Sequence, residues 1–387
     1  MRSRDDLTFS MTEYERRLRE LRERMAERRL DVALVTDPEN LAYLTGYQTT
    51  GYSYFQALVV PTEAEPFMVT RLLEESNVHA RTWVEKTRPY GDTGDAIETL
   101  WQALREIDAE ERVIGYERNS YFFPAYQQER MRASVRAERF VDCFGVVEEG
   151  RIVKSEEEIE VMRKAARSME AGVRAGVACV AEGVSENEIA AEVLAAMMRA
   201  GGEYPAVVPY IASGPRCTIG HATWEGRVVG PGETVFLEVG GCFRRYHTAM
   251  MRTVYVGEPP RVLCDAEALV VEAVHAMCEH LRPGVTAAEV DGAARRVLAR
   301  HTGEGGLVTR SGYSIGIAFA PSWDEGYMLS LKPGEHTPLR ENMTFHLIPW
   351  LFGLDGDKVM GISETVRVTA SGGERFSDVE QRLFVAA

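Results

Sequence analysis

The sequence predicts a two-domain protein in which a small α/β domain precedes a larger α+β domain. Helix-like and strand-like segments alternate over residues 1–150, which is typical of a sheet covered by helices. The order then changes to a helix pair, a strand pair, a second helix pair and further strands, which suggests a duplicated α+β unit. A charged segment around Ser155 separates the two patterns. We therefore expect domains at 1–150 and 151–387.

The first domain begins with an amphipathic helix. Its apolar residues recur at the spacing of one helical face, and they are Tyr14, Leu18, Leu21 and Met25. Short apolar runs bounded by turn residues follow it and predict strands. These runs are DVALVT, QALVVP, PFMVT and RVIGYE.

Capping patterns mark three helix starts in the second domain. Each has a serine or threonine three residues before a glutamate, and the pairs are Ser155 with Glu158, Ser185 with Glu188, and Thr286 with Glu289. The predicted helices span 155–178, 185–200, 263–281 and 286–301. The predicted strands are GETVFLEVGG, MRTVYVG, SGYSIGIAF, MTFHLIPWLF and VMGISETVRVT.

Composition and charge exclude several function classes. A net charge of −15 argues against nucleic acid as the main partner, because no basic stripe is available to bind phosphates. No apolar run approaches the roughly 20 residues of a membrane-spanning helix, and the opening MRSRDDLTFSMT lacks a signal-peptide core. We therefore expect a cytoplasmic protein that acts on a small molecule, with no nucleic-acid partner and no membrane contact.

The six cysteines follow neither a zinc-site spacing nor a disulfide framework. Free and mostly buried thiols are the default interpretation. Cys217 lies near His221, and Cys242 lies near His247, so a catalytic cysteine remains an alternative.

One carboxylate, Glu238, interrupts the apolar strand TVFLEVGG. Burying an ionised carboxylate costs several kcal/mol unless another interaction compensates. The question is therefore whether Glu238 serves a metal, a proton or a covalent bond.

Several segments together resemble the pita-bread fold of the creatinase, prolidase and aminopeptidase superfamily. They are RIVKSEEEIEVMRKAA, IASGPRCTIGHATWEGRVVGPGETVFLEVGG, SGYSIGI, ENMTFHLIPW and ISETVRVT. The earlier NLAYLTGYQ resembles the amino-terminal domain of creatinases and prolidases. The resemblance implies a carboxy-terminal pita-bread catalytic domain behind a smaller creatinase-type α/β domain.

The metallopeptidases of this superfamily hold two metal ions with five ligands. The five positions fall here on Glu238, Ala249, Tyr313, Ile348 and Ser363. Because alanine and isoleucine carry no donor atom, the resemblance implies a site without metal and without another cofactor.

A single-metal site rebuilt from Glu238, His247, His346 and Glu364 is the competing prediction. Strand alternation turns His346 to the same side as Ile348, toward the cavity, and turns His247 away.

His221 falls on the histidine that creatinases and prolidases place beside the substrate, and in metal-free creatinase it is the acid/base. Among metal-free relatives the chain is most similar to the ectoine hydrolases, which open a cyclic amidine, and Tyr313, Trp323 and His346 carry this similarity. The resemblance implies a hydrolase of a C–N bond in a small cyclic amidine or zwitterion. Glu238 would be the nucleophile or base, and His221 the acid/base.

Aromatic faces are expected to hold the cationic substrate. The predicted substrate-binding residues are Tyr52, Tyr54, Phe55, Tyr313, Trp323, His346 and Glu364. Core packing is the alternative for residues 52–55, and an ion pair with Arg252 is the alternative for Glu364. Arg71 is a candidate for a substrate carboxylate, with a solvated surface position as its alternative.

The resemblance also implies a homodimer in which the amino-terminal domain of one subunit reaches the active site of the other. Three other functions stay open. They are an Xaa-Pro dipeptidase with an altered metal site, a creatinase-like amidinohydrolase, and a non-catalytic scaffold that binds proteins.

Overall fold

The computed structural model describes residues 1–302, 307 and 309–386. The chain forms two compact units, Met1–Arg151 and Ile152–Ala387. Over the part of the chain that the structure describes, every helix is too short or too polar to cross a lipid bilayer.

The amino-terminal unit is built on one six-stranded mixed sheet. Its strands are β1 (Val32–Val35), β2 (Ala57–Pro61), β3 (Phe67–Arg71), β4 (Lys86–Tyr90), β5 (Ile114–Tyr116) and β6 (Phe140–Asp142). They lie in the order β4-β3-β2-β1-β5-β6. Strand β1 pairs antiparallel with β2 and parallel with β5.

Six α-helices accompany this sheet in the described residues. They are α1 (Met11–Glu27), α2 (Pro38–Thr45), α3 (Glu75–Arg81), α4 (Ala96–Arg105), α5 (Ala125–Ser134) and α6 (Glu148–Arg151). Helix α1 buries Tyr14, Leu18, Leu21 and Met25, which confirms the predicted apolar face. The four predicted strands are confirmed as β1, β2, β3 and β5.

The carboxy-terminal unit contains four long helices, α7 (Glu156–Cys179), α8 (Glu186–Arg199), α9 (Arg261–His280) and α10 (Ala287–Thr302). Capping boxes at Ser155 and Ser185 begin α7 and α8 as predicted. The same reciprocal bonds join Thr286 and Glu289 at the start of α10.

Its strands form two main sheets and one hairpin. The strands are β7 (Tyr210–Ser213), β8 (Thr234–Phe243), β9 (Tyr246–Val256), β10 (Gly312–Ser314), β11 (Ser330–Leu331), β12 (Thr344–Leu347), β13 (Leu351–Leu354), β14 (Lys358–Met360), β15 (Glu364–Thr369), β16 (Gly372–Arg375) and β17 (Phe384–Ala386). One sheet has the order β17-β9-β8-β7, the other has the order β11-β10-β12-β15-β16, and β13 pairs with β14.

Three predicted strands are shorter than expected, and the breaks have physical causes. SGYSIGIAF is a strand only over β10. MTFHLIPWLF divides into β12 and β13 on either side of Pro349, which has no N–H to donate to a ladder. VMGISETVRVT divides at Gly361, where a Cβ would lie 2.5 Å from Cε2 of Phe236.

The two main sheets meet where β9 lies beside β15. The amide of Ala249 donates to Oγ1 of Thr365 over 2.9 Å, and the amide of Met251 donates to Oγ of Ser363 over 2.6 Å. Adjacent glycines in β8 allow close packing on this sheet. A Cβ on Gly241 would lie 2.2 Å from the carbonyl oxygen of Ala165 in α7, so only glycine fits there.

Candidate active site

A cavity of about 360 Å³ lies within the carboxy-terminal unit. Strands β7, β8, β9 and β10 and the loops near residues 217–222, 322–324 and 348–350 form its walls. The lining residues that can bind or react include Tyr210, His221, Glu238, Arg310, Tyr313, Trp323 and Asp324.

Glu238 lies in the middle of β8, opposite Tyr210 of β7 and Met251 of β9. The residue is only 7% exposed. Burial raises the pKa of its carboxyl to about 8. Among the described residues nothing donates a hydrogen bond to this carboxyl or forms an ion pair with it. Burial therefore favours the protonated form of Glu238, and a bound cation would favour its ionised form.

His221 lines the same cavity from the loop that follows a short 3₁₀ helix, Gly214–Thr218. It is exposed, and its backbone is left-handed with φ of 58°. Its ring centre lies 5.2 Å from that of Tyr210. The structure thus brings both residues predicted to be catalytic to one cavity.

Tyr313 and Trp323 form part of the cavity wall. Nε1 of Trp323 donates to the hydroxyl of Tyr313 over 3.0 Å. The Trp323 ring packs against Gly240, where a Cβ would lie 2.6 Å from Cε3 of the indole. A glycine in the LEVGG segment therefore allows Trp323 to reach the cavity.

His346 lies behind Tyr313 and does not line the cavity. Its Nδ1 is 2.7 Å from the Tyr313 hydroxyl, and its Nε2 is 2.7 Å from Oγ of Ser363. Burial lowers its pKa to about 3, so the ring is neutral. His346 is fully buried, and its predicted contact with a substrate stays a prediction.

Glu364 forms the ion pair with Arg252 that was the predicted alternative to a substrate contact. Its Oε1 accepts from Arg252 over 2.7 Å and from Arg375 over 3.2 Å, and the Glu364 and Arg252 side chains are fully buried. Glu364 does not line the cavity, and its predicted substrate contact stays a prediction.

Arg310 and Asp324 also line the cavity, and the sequence interpretation missed both. The two form an ion pair of 3.1 Å, and the Arg310 guanidinium lies 4.5 Å from the ring centre of Tyr313. The sequence signal that could have identified them is their position, since Arg310 directly precedes the SGYSIGI segment and Asp324 directly follows Trp323. The cavity thus presents a cation as well as the carboxyl of Glu238.

The cysteine alternative finds no support. Cys217 lines the cavity, but its thiol donates to the carbonyls of Ala212 and Thr234, and burial raises its pKa to about 11. Burial also raises the pKa of Cys242 to about 12. Both thiols therefore stay protonated at neutral pH and react poorly.

Tyr52, Tyr54 and Phe55 belong to the amino-terminal unit. Phe55 is buried in the core of that unit beside Phe123, as in the core-packing alternative, and its predicted substrate contact stays a prediction. Tyr54 is exposed and lies under Arg71, which is paired with Asp92. Substrate contacts by Tyr52 and Tyr54 stay predictions.

The residues around the cavity do not fit the two-metal site of the related metallopeptidases. Ala249 and Ile348 offer no donor atom, and Tyr313 and Ser363 are hydrogen-bonded to His346. Within the described ranges, the one cluster of three or more ligand-type side chains is Asp37, Glu117 and Glu148, in the amino-terminal unit.

The rebuilt single-metal site also lacks a ligand set. His247 accepts from the amide of Ala206 over 2.9 Å, and its other nitrogen lies 2.9 Å from the carbonyl of Arg245. Both ring nitrogens are therefore bonded to backbone, as the strand alternation predicted when it turned His247 away. Because Glu364 is bound to Arg252, only Glu238 of the four candidates faces the cavity.

Comparison with known proteins places this site in a family. Residues 160–370 match the profile of metallopeptidase family M24, and residues 17–153 match the creatinase/prolidase N-terminal domain. Ectoine hydrolase of Halomonas elongata is 31% identical over 398 residues, which cover 98% of each chain. The Xaa-Pro dipeptidase of Pyrococcus horikoshii is 27% identical and covers 95% of this chain and 98% of its own.

A solved structure supports the same fold. The dipeptidase PepE from Mycobacterium ulcerans superposes with a TM-score of 0.83 at 24% identity, over 98% of this chain and 100% of that one. The predicted pita-bread domain behind a smaller creatinase-type domain is confirmed. The chain therefore belongs to metallopeptidase family M24, a family of hydrolases, and carries a creatinase/prolidase amino-terminal domain.

Proposed function

We propose that this protein is a metal-independent hydrolase that opens a C–N bond in a small cyclic amidine, as ectoine hydrolase does. Glu238 acts as the nucleophile or as the base, and His221 acts as the acid/base. The observation that carries the proposal is the buried Glu238 carboxyl, which faces the cavity with no counter-charge from the described residues and has a pKa raised to about 8.

The donor set around Glu238 favours proton or covalent chemistry over metal chemistry. A pair of divalent ions needs several carboxylates to neutralise its charge, and the family positions supply one. The other buried glutamate of this region, Glu364, is neutralised by Arg252. A lone carboxyl in an apolar cavity is a group that gains reactivity from loss of water.

The cavity wall suits a substrate that carries both charges. Tyr210, Tyr313 and Trp323 present aromatic faces around Glu238, and such faces attract an amidinium cation. Arg310 lines the same space and can pair with a substrate carboxylate, in addition to its bond with Asp324. Ectoine is a cyclic amidine with one carboxylate, so it matches this arrangement.

In the general-base route, Glu238 removes a proton from water as the water oxygen bonds to the amidine carbon. The ring C–N bond then breaks, its electron pair stays on nitrogen, and that nitrogen takes a proton from His221. As the C=O bond forms, the proton of the added hydroxyl passes to the released amine. Glu238 returns its proton to solvent and His221 regains one, so one water is consumed and charge is conserved. In the covalent route, the Glu238 oxygen bonds to the same carbon first, and water releases the adduct.

The test is a substrate comparison with chelated protein. We expect protein dialysed against EDTA to open ectoine, and we expect no gain in rate on addition of Mn²⁺ or Zn²⁺, measured by mass spectrometry of the product. Creatine and an Xaa-Pro dipeptide serve as competing substrates. Cleavage of the dipeptide that depends on added metal would reject the proposal in favour of a dipeptidase.

Matched variants assign the role of each residue. Glu238→Gln should lower turnover about 1000-fold, whereas Glu258→Gln, at an exposed glutamate, should leave it unchanged. His221→Asn should lower turnover about 100-fold, because asparagine accepts the left-handed backbone but transfers no proton.

Rapid acid quench followed by peptide mass analysis separates the general-base route from the covalent route, since only the covalent route adds mass to the peptide with Glu238.

The predicted homodimer belongs to the same proposal. The match to the creatinase/prolidase N-terminal domain supports it. We expect a dimer in sedimentation equilibrium. We also expect activity to reappear when Glu238→Gln subunits are exchanged with inactive Tyr52→Ala, Tyr54→Ala subunits. A fully active monomer would contradict the proposed homodimer.

A further inference from the structure

A chain of hydrogen bonds runs from the β9 backbone to the cavity through three side chains. The amide of Met251 donates to Oγ of Ser363 over 2.6 Å, and Oγ lies 2.7 Å from Nε2 of His346. On the other side of the ring, Nδ1 lies 2.7 Å from the hydroxyl of Tyr313, a residue that lines the cavity. Ser363 and Tyr313 occupy two positions where metallopeptidase relatives are expected to have ligands.

The direction of these bonds follows from the donors and acceptors available. The Ser363 hydroxyl has one hydrogen, and within the described residues the one acceptor in reach is Nε2 of His346. A buried hydroxyl hydrogen without an acceptor is costly, so Ser363 donates to Nε2. The neutral imidazole must then carry its proton on Nδ1, because Nε2 is accepting.

The tautomer of His346 fixes the direction of the Tyr313 hydroxyl. Nδ1–H of His346 donates to the phenol oxygen, and the indole N–H of Trp323, which can only donate, contributes a second bond of 3.0 Å. Both lone pairs of that oxygen are then occupied. The phenol hydrogen is left to point into the cavity that Tyr313 shares with Glu238.

We infer that Ser363, acting through His346, holds the Tyr313 hydroxyl as a hydrogen-bond donor aimed at the reacting centre of the substrate. Tyr313 is thereby a catalytic residue, and Ser363 and His346 are positioning residues. The inference deepens the proposed function and rests on it for the identity of the acceptor.

The acceptor is an atom that gains electron density during the reaction. A protonated amidine offers Tyr313 no free lone pair on its nitrogens. When oxygen bonds to the amidine carbon, the added oxygen and the ring nitrogens gain electron density that can accept a hydrogen bond. A donor fixed in advance therefore stabilises the transition state more than the bound substrate. Burial raises the pKa of Tyr313 well above its usual value, so the proton stays on the phenol.

The first test measures the tautomer without any substrate. Two-bond ¹H–¹⁵N correlation NMR of the protein labelled at histidine nitrogens, assigned with a His346→Gln variant, should show Nδ1 protonated and Nε2 bare in His346. A proton on Nε2 would overturn the inference. Because this measurement needs no turnover, it stands even if the proposed substrate is rejected.

The second test is a kinetic double-mutant cycle on the substrate that the protein turns over. Tyr313→Phe should lower kcat about 100-fold with KM changed less than about 3-fold, because the phenyl ring still lies beside Arg310. Ser363→Ala should lower kcat about 10-fold, and Ser363→Thr, which keeps the hydroxyl, should restore most of it. In the Tyr313→Phe background, Ser363→Ala should change kcat less than about 2-fold.

Additive losses in the cycle would overturn the inference, since they would show that Ser363 does not act through Tyr313. An equal rise in KM and no change in kcat for Tyr313→Phe would also overturn it. If Ser363→Ala does not fold, the cycle is closed with Ser363→Cys. Because a thiol is a weak hydrogen-bond donor, we expect Ser363→Cys to cause a partial loss of kcat. In the Tyr313→Phe background it should cause no further loss.

Discussion

Glu238 and Glu364 are both buried glutamates of the carboxy-terminal unit, and they differ in the charges around them. Glu364 has Arg252 at 2.7 Å, and both side chains are fully buried. Glu238 is 7% exposed, faces a cavity, and has its pKa raised to about 8 by burial alone. The charge of Glu364 is therefore compensated within the protein. The charge of Glu238 would be compensated by a ligand that enters the cavity.

The comparison shows that burial does not by itself identify a functional carboxylate. What distinguishes Glu238 is a buried carboxyl that lacks a counter-charge among the described residues and adjoins open space, and such groups cluster at functional sites. A structural ion pair such as that of Glu364 removes the carboxylate from chemistry. The difference between the two glutamates should appear in stability, in pH dependence, in binding and in the response to salt.

The largest effect is expected from breaking the Glu364 pair. Glu364→Gln should lower the free energy of unfolding by about 3–5 kcal/mol, because it leaves Arg252 charged and buried without its partner. The matched variant Glu238→Gln should not lower it, since no ion pair is lost there. Urea unfolding at pH 7 measures both. Equal destabilisation by the two changes would show that Glu238 has an unrecognised partner.

The sequence reveals the features that depend on neighbours along the chain. The capping boxes at Ser155 and Ser185 need residues three apart, and the turn of His247 away from the cavity needs only strand alternation. Glu238 stands out because a charge in an apolar strand is visible in a single segment. These local signals led to the correct elements and to one residue of the cavity, Glu238.

The sequence does not reveal pairings between distant segments. Arg252 and Glu364 are 112 residues apart, and although their ion pair was one of two alternatives, no local pattern decides between it and a substrate contact. His346 has the alternation of a cavity residue, yet it is fully buried and hydrogen-bonded to Tyr313 and Ser363, which are distant along the chain. Phe55 follows the same aromatic pattern as Tyr54, but the core of its own unit buries it. Such outcomes are decided by tertiary packing.

The pH dependence of stability gives the second prediction. Between its ordinary value of 4.5 and about 8, folded Glu238 holds a proton that the unfolded chain has lost. The free energy of unfolding therefore falls as pH rises through this range, by up to about 1.4 kcal/mol per pH unit. Glu238→Gln should remove this slope and become increasingly more stable than the natural protein toward pH 8.

Thermal and urea unfolding of both proteins at pH 5 to 9 measure the slope. The neutral histidines His247 and His346 lower stability on the acid side instead, and they are present in both proteins, so the difference isolates Glu238. A difference that stays constant from pH 5 to 8 would contradict the raised pKa.

Arg310 gives the third prediction, because it lines the same cavity as Glu238 and forms its ion pair with Asp324. Arg310→Met should raise KM for a carboxylate-bearing substrate about 10-fold, close to 1.4 kcal/mol of lost binding, with a smaller effect on kcat. Arg261→Met, at an exposed helix position, is the control. When the methyl ester of the same substrate is used, the difference in KM between the natural protein and Arg310→Met should disappear. An unchanged KM with Arg310→Met would remove Arg310 from the binding site.

The smallest expected effect is the response of the two regions to salt. Because the Arg252 and Glu364 side chains are completely buried, 1 M NaCl should change the destabilisation by Glu364→Gln by less than about 0.5 kcal/mol. The exposed pair of Arg261 and Asp265 is the control, and its contribution of about 0.3–0.5 kcal/mol should vanish at that salt concentration. Urea unfolding at low and high salt measures both. A loss of more than about 1 kcal/mol from the Glu364 effect would mean that ions reach the pair, and the contrast with Glu238 would then rest on the pKa alone.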